Sequence, residues 1–284
     1  MRKKVILSAD STCDLNSELK EKYKVNYFPL HIILEEQDYL DNVTISTDEI
    51  YKVFYEKKIL PKTAAVNMME YFEYFKKWTD EGYEVIHLNI GSALSSSYQN
   101  SLLAAMELEG VYPIDSCNLS TGIGLLVIQA AKLIEQGYDG KTIQKTISSM
   151  VNNSHASFIL DTLTFMSAGG RCSQLTAFGA AMLNLKPCIM VDNATGAMNV
   201  GKKYRGKMEH VLPKYVTDTL NDHLNIDYER IFITHSGIEQ SMIDLVKNTI
   251  MSQSNFENIE VTKASCTISS HCGPNTLGIL FMTK

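Results

Sequence analysis

Val5-Ile6-Leu7-Ser8-Ala9-Asp10-Ser11-Thr12-Cys13-Asp14-Leu15 carries the chain from a short apolar run, through a cluster of turn and cap formers, into a new periodic segment. The spacing predicts a strand over 5–9 and a helix over 15–23, capped by Asp14 or a neighbour. A strand feeding a helix through a polar turn, when repeated, is the pattern of a parallel α/β sheet. The repetition is present. A second strand is expected over 25–34. Ser46 with Glu49 and Asn67 with Glu70 stand at capping-box spacing before apolar-periodic segments, predicting helices that end near Lys57 and Trp78. A strand over 84–90, a helix over 98–109, a strand over 111–114 and long helices over 119–136 and 141–151 follow.

Beyond Asn152 the punctuation changes. Strands are expected over 158–161, 187–191 and 197–202, the last two joined through Asn193-Ala194-Thr195-Gly196 as a hairpin, which introduces antiparallel pairing. A Gly169-Gly170 turn, a helix over 175–183, strands over 228–234, 259–264 and 276–282, and a helix over 238–251 complete a second unit with a mixed sheet. The expected architecture is therefore α/β in two domains, 1–152 with a parallel sheet and 153–284 with a mixed one. No linker separates them, so a tight interface suited to a ligand is expected.

The 284 residues are 45% hydrophobic and 20% charged, enough to bury a core and too weakly charged for a disordered chain. A net charge of -6 argues against a nucleic-acid partner. No apolar stretch approaches the ~20 residues of a membrane span, and the N-terminal apolar run is shorter than a signal-peptide core, so a cytoplasmic protein is expected. The six cysteines show no zinc-site spacing and read as reduced thiols, with no metal expected. Nucleotide motifs fail: Gly140-Lys141-Thr142 lacks the earlier P-loop glycine, and Gly122-x-Gly124 lacks the third glycine of the dinucleotide fingerprint. No Gly-x-Ser-x-Gly elbow is present. What remains are hydroxyl-rich segments at strand ends: 10–15, 91–99, 115–117 and 269–274. Each reads either as a set of helix caps or as donors facing an anion in the crevice of an open sheet.

Five stretches, in order, resemble the DegV family of bacterial fatty-acid-binding proteins, which includes the acyl-carrying subunit of fatty acid kinase. Asp10-Ser11-Thr12-Cys13-Asp14-Leu15 is similar to the family's D-S-x-x-D-L, and Leu94-Ser95-Ser96-Ser97-Tyr98-Gln99 to its L-S-G-T-Y-Q. The stretch from Leu163 through Gly169-Gly170-Arg171 resembles L-x-x-L-x-x-G-G-R, Leu185-Lys186-Pro187 matches L-K-P, and His271-Cys272-Gly273-Pro274-Asn275 resembles H-T-G-P-G. The resemblance implies a lipid tunnel between two α/β domains. It implies that Thr63, Ser95, the amide at Ser96 and His271 hold the carboxylate of a long-chain fatty acid, with Arg171 near the cavity. A carboxylate accepts several hydrogen bonds, and neutral donors at a helix N-terminus suffice to hold it. At ~0.8 kcal/mol per methylene the tail supplies most of the affinity.

The resemblance further implies no catalytic residue and no cofactor in this chain, and a separate ATP-binding kinase that phosphorylates the presented carboxylate, with Arg205 in its docking surface. Alternative readings are an ion pair for Arg171, a merely solvated basic run around Arg205, and core packing for the methionines Met68, Met69 and Met182. At the level of function, the rivals are a lipid-sensing regulator without a kinase, a substrate-binding subunit like that of dihydroxyacetone kinases using His271, and an acyl hydrolase using Ser95 and His271. Departures from the family pattern are Ala64-Ala65-Val66-Asn67 after Thr63, Ser96 for a glycine, Cys272 for a threonine and Asn275 for a glycine.

Overall fold

The computed structural model describes residues 4–174 and 185–284. The first strand, β1 (Val5–Asp10), is followed by a 3-10 turn, Ser11–Cys13, and by α1 (Ser17–Lys22). α1 begins two residues later than its periodicity suggests because Asn16, not Asp14, caps it, its Oδ1 accepting from the Leu19 amide at 2.9 Å. Asp14 is committed elsewhere.

The strand expected over 25–34 is two strands in different sheets. β2 (Asn26–Phe28) runs parallel to β1, whereas β3 (His31–Leu34) turns away and pairs with β4 (Gln37–Leu40). Between them Pro29, which has no amide hydrogen to give the ladder, ends the first pairing. β3 also pairs with β5 (Lys62–Ala64), which makes a small antiparallel sheet in the order β4-β3-β5.

The two capping boxes form as their spacing predicts, at the start of α2 (Thr47–Lys57) and α3 (Met68–Thr79), with both reciprocal bonds present in each. β6 (Glu84–Asn89) and β7 (Val111–Asp115), separated by α4 (Ser97–Met106), complete a parallel sheet in the order β2-β1-β6-β7. Within it Asp10 is fully buried and satisfied: Tyr71 Oη donates to it at 2.7 Å, the Ile90 amide at 2.9 Å, and His87 Nε2 lies at 3.1 Å.

α5 (Thr121–Glu135) and α6 (Gly140–Met150) lead out of this unit, and the segment Val151–Asn153 connects to β8 (Ser154–Ile159), which starts four residues earlier than expected. α5 is apolar on nearly every face, since it packs against β1 and β6 on one side and β8 and β13 (Leu277–Thr283) on the other. Gly124 permits that closeness, because a Cβ there would meet the Cys13 carbonyl at 2.8 Å. The Gly122-x-Gly124 pair thus serves helix packing.

Next come α7 (Thr164–Gly169), β9 (Leu185–Val191) and β10 (Met198–Arg205), the last two forming the expected antiparallel hairpin. Then follow α8 (Met208–Asn221), β11 (Ile226–His235), α9 (Gln240–Gln253), β12 (Asn258–Lys263) and α10 (Cys266–Cys272). The second sheet has the order β10-β9-β8-β13-β11-β12 and is mixed, parallel only between β11 and β12. Three helices here lack a sequence signal that matched: α7, ended by left-handed Gly170 (φ +69°), α8, which contains Pro213, and α10, where only a polar loop is expected. The helix expected over 175–183, with Met182 in it, lies outside the described residues. One continuous core joins Leu7, Ile86, Leu88 and Ile123 of the first unit to Ala156, Phe158, Leu160 and Leu280 of the second.

Candidate functional site

A cavity of about 680 Å³, counted out to its open mouth, lies between the two units. The first unit contributes Leu30, Ile90, Leu94 and Leu119 to its wall, and the second Met166, Met198, Ile268 and Cys272. Its polar groups converge from four elements. Thr63 comes from β5, Ser95 and Ser96 from the loop entering α4, Arg171 from the turn after α7, and His271 from the last turn of α10. Five residues chosen from sequence therefore line one cavity. Arg205, at the end of edge strand β10, does not; it is exposed beside Lys202, His210 and Lys214 in a separate cationic depression.

Thr63 sits in a strand, not a loop, so pairing with Ile32 of β3 fixes it without the proline found in the family pattern. Its Oγ1 lies 2.8 Å from His271 Nε2. Burial, with the nearby Arg171 guanidinium, depresses His271 to about 4, so the imidazole is neutral at pH 7. Its Nδ1 is buried and has no partner among the described residues. An orphaned buried N–H is rarer and costlier than an under-used acceptor, which assigns the proton to Nε2. Nε2–H then donates to Thr63 Oγ1, and the Thr63 hydroxyl hydrogen is left to point into the cavity. Gly169 makes room for the ring, since a Cβ there would overlap Nδ1.

Ser95 Oγ is 2.9 Å from Ser97 Oγ and accepts from the Ser97 amide at 3.2 Å. Ser96 is the N-cap residue of α4 with φ -78°, a conformation open to any residue, so nothing there demands the family's glycine. The Ser96 side chain makes no capping bond and α4 has no acidic residue in its first turn, so no negative charge offsets its positive end on the side where Ser95 and Ser96 line the cavity. Arg171 donates to the carbonyls of Gly169 at 2.7 Å and Leu94 at 3.5 Å, bridging the two units at the mouth; these carbonyl bonds take the place of the ion pair considered for it. Asn275 replaces a glycine at a left-handed position (φ +60°) that asparagine tolerates, and its side chain donates to Asp161.

A second, smaller chamber of about 320 Å³ shares the Leu119, Ile268 and Cys272 wall and continues past Phe158, Ala264, Gly278 and Leu280. Cys272 is buried and its thiol is pushed well up by burial, so it acts as apolar wall. Of the methionines considered, Met68 packs on the core and Met69 is exposed, while Met166 and Met198, not singled out in the sequence, face the cavity. Two other polar segments go unused at the cavity. Asp10, Ser11 and Asp14 turn inward to bind protein groups, and Asp115 binds the amides of Ser92 and Cys117. Among the described residues there is no cluster able to hold a metal ion and no helix long and apolar enough to cross a membrane.

Two α/β units closed over a largely apolar cavity, with neutral donors in its lining, define a small-molecule-binding protein. The chain belongs to the DegV family, whose model matches residues 4–284. A DegV domain-containing protein of Clostridium perfringens is 31% identical over 283 residues, covering 99% of both chains. Among solved structures, a DegV family protein from Thermus thermophilus described as binding fatty acid superposes with a TM-score of 0.88 at 26% identity, over 99% of this chain and 100% of that one. A fatty-acid-binding DegV family protein from Streptococcus agalactiae reaches the same TM-score, 0.88, at 22% identity and 99% coverage of each chain, a likeness of fold.

Proposed function

We propose that this protein is a carrier that encloses one long-chain fatty acid between its lobes, 1–152 and 153–284, and presents the carboxylate to a separate ATP-dependent fatty acid kinase. The observation that carries the reading is that Thr63, Ser95 and His271 all line one cavity with an apolar wall, with Thr63 hydrogen-bonded to His271. A carboxylate there accepts from the Thr63 and Ser95 hydroxyls and an amide at the N-terminal end of α4, with the Arg171 charge at the mouth. The tail runs along Leu119 and Ile268 into the second chamber. About 14 buried methylenes contribute on the order of 11 kcal/mol before association costs.

The carrier acts in the cytoplasm and needs no cofactor of its own. Hydrolysis is disfavoured because His271 Nδ1 has no orienting carboxylate and Nε2 faces Thr63 instead of Ser95. The cationic face around Arg205 suits an acidic surface on the kinase. Native mass spectrometry and lipid extraction of the purified protein test the reading: a co-purifying or readily loaded acyl chain is expected. A protein that neither carries nor takes up palmitic acid refutes it.

A further inference from the structure

Asp14 and Asp41 are both buried carboxylates on the first lobe, and the cavity lining includes neither. Each also has partners at the start of α10. Asp14 accepts from the Ser265 amide at 2.9 Å and, through its other oxygen, from Ser120 Oγ at 2.6 Å. Asp41 accepts from the Cys266 amide at 2.7 Å through one oxygen, and from Thr267 Oγ1 at 2.7 Å and Ser11 Oγ at 2.8 Å through the other. Asp14 thus accepts two of these hydrogen bonds and Asp41 three, of the roughly four that an ionised carboxylate can take. The helix so gripped is seven residues long and carries Thr267, Ile268, His271 and Cys272 into the cavity. A helix of under two turns moves as one piece, so whatever fixes its first residues fixes the imidazole at its last turn.

We propose that Asp14 and Asp41 are positioning residues for the carboxylate site: they anchor the start of α10 to the first lobe and thereby hold His271 on Thr63. This rests on the fatty-acid reading above. Burial raises both carboxyls, Asp14 to about 7, and their ionisable neighbours Cys13, Tyr27, Cys266 and Cys272 are all acids, so these groups are costly to keep dry. A fold that needed only a filled core would do better with apolar residues at both positions. What the carboxylates add is orientation.

The test uses the full chain, 11-(dansylamino)undecanoic acid and the methyl ester of the same probe, with fluorescence titration. Asp41→Ala is expected to weaken the acid about tenfold while leaving the ester nearly unchanged, because only the acid uses the Thr63–His271 end. Asp41→Asn, which keeps an acceptor for the Cys266 amide, is expected to restore most of the acid affinity. Equal weakening of acid and ester would mean that Asp41 merely supports the fold, and unchanged acid affinity would mean that α10 does not need it; either overturns the proposal. If the alanine variant does not fold, hydrogen exchange of the wild type decides. The Ser265 and Cys266 amides must gain protection when the acid probe saturates, and unaltered exchange overturns the proposal. A wild type that binds acid and ester equally refutes the head-group reading itself, a result separate from any effect of the variants.

Discussion

Replacing Asp14 by asparagine isolates the cost of keeping a carboxylate dry between the lobes. Burial lifts Asp14 from 3.8 to about 7, against the opposing hydrogen bonds from Ser120 and Ser265 and with a smaller push from Asp41. The folded state therefore binds a proton more tightly than the unfolded chain. This contribution to stability is fully present below the unfolded value, declines as pH rises, and is lost above about 7. About three units at 1.36 kcal/mol each set an upper limit near 4 kcal/mol. Asparagine retains both partners, its Oδ1 accepting from the Ser265 amide and its Nδ2 donating to Ser120 Oγ, and it never ionises. The expected result in urea unfolding is that Asp14→Asn gains on the wild type by about 2 kcal/mol between about pH 5 and about pH 7.5. Comparing the two proteins at each pH cancels titrations elsewhere. A difference that stays flat across this range, or a variant that loses ground as pH rises, would refute the burial argument.

Thr63→Ala and Ser95→Ala should each weaken palmitic acid binding by roughly 1–3 kcal/mol in calorimetry, and unchanged affinity in both removes these hydroxyls from the site. His271 should titrate near 4 in the empty protein, by nitrogen-detected NMR, and rise when saturating palmitate places an anion beside it; a value that does not move means that the carboxylate sits elsewhere. Its depressed folded value also makes its share of stability present above the ordinary imidazole range and lost as pH falls through about 4. Arg205→Ala should leave fatty-acid affinity unaltered while slowing acyl phosphate formation by a partner kinase, and equal rates would return Arg205 to the solvated surface.

Local signals in the chain were read correctly where the determining contacts are local. Ser46 with Glu49 and Asn67 with Glu70 bond within one turn, so α2 and α3 could be placed from spacing alone. The small sheet was hidden because its strands are three or four residues long and join segments some thirty residues apart, with only Pro29 to mark the break. α10 was hidden for a different reason. Cys266-Thr267-Ile268-Ser269-Ser270-His271-Cys272 shows no amphipathic period, because the helix is buried nearly all round by both lobes. Thr63 and His271 stand 208 residues apart, and no spacing rule joins them; resemblance to a family did so, while Asp41, with no motif around it, went unnoticed.

The grip of Asp14 and Asp41 on α10 also bears on how the chain can be divided. Cutting near Asn152 would leave the first lobe with two carboxylates stripped of their amide partners and the second with the start of α10 unanchored, and would open the shared core along α5. Neither half is a module to be expressed, swapped or fused alone. Insertions and tags belong at exposed turns such as Asp80-Glu81-Gly82, whereas Asn193 bonds to the Asn152 carbonyl at the junction itself.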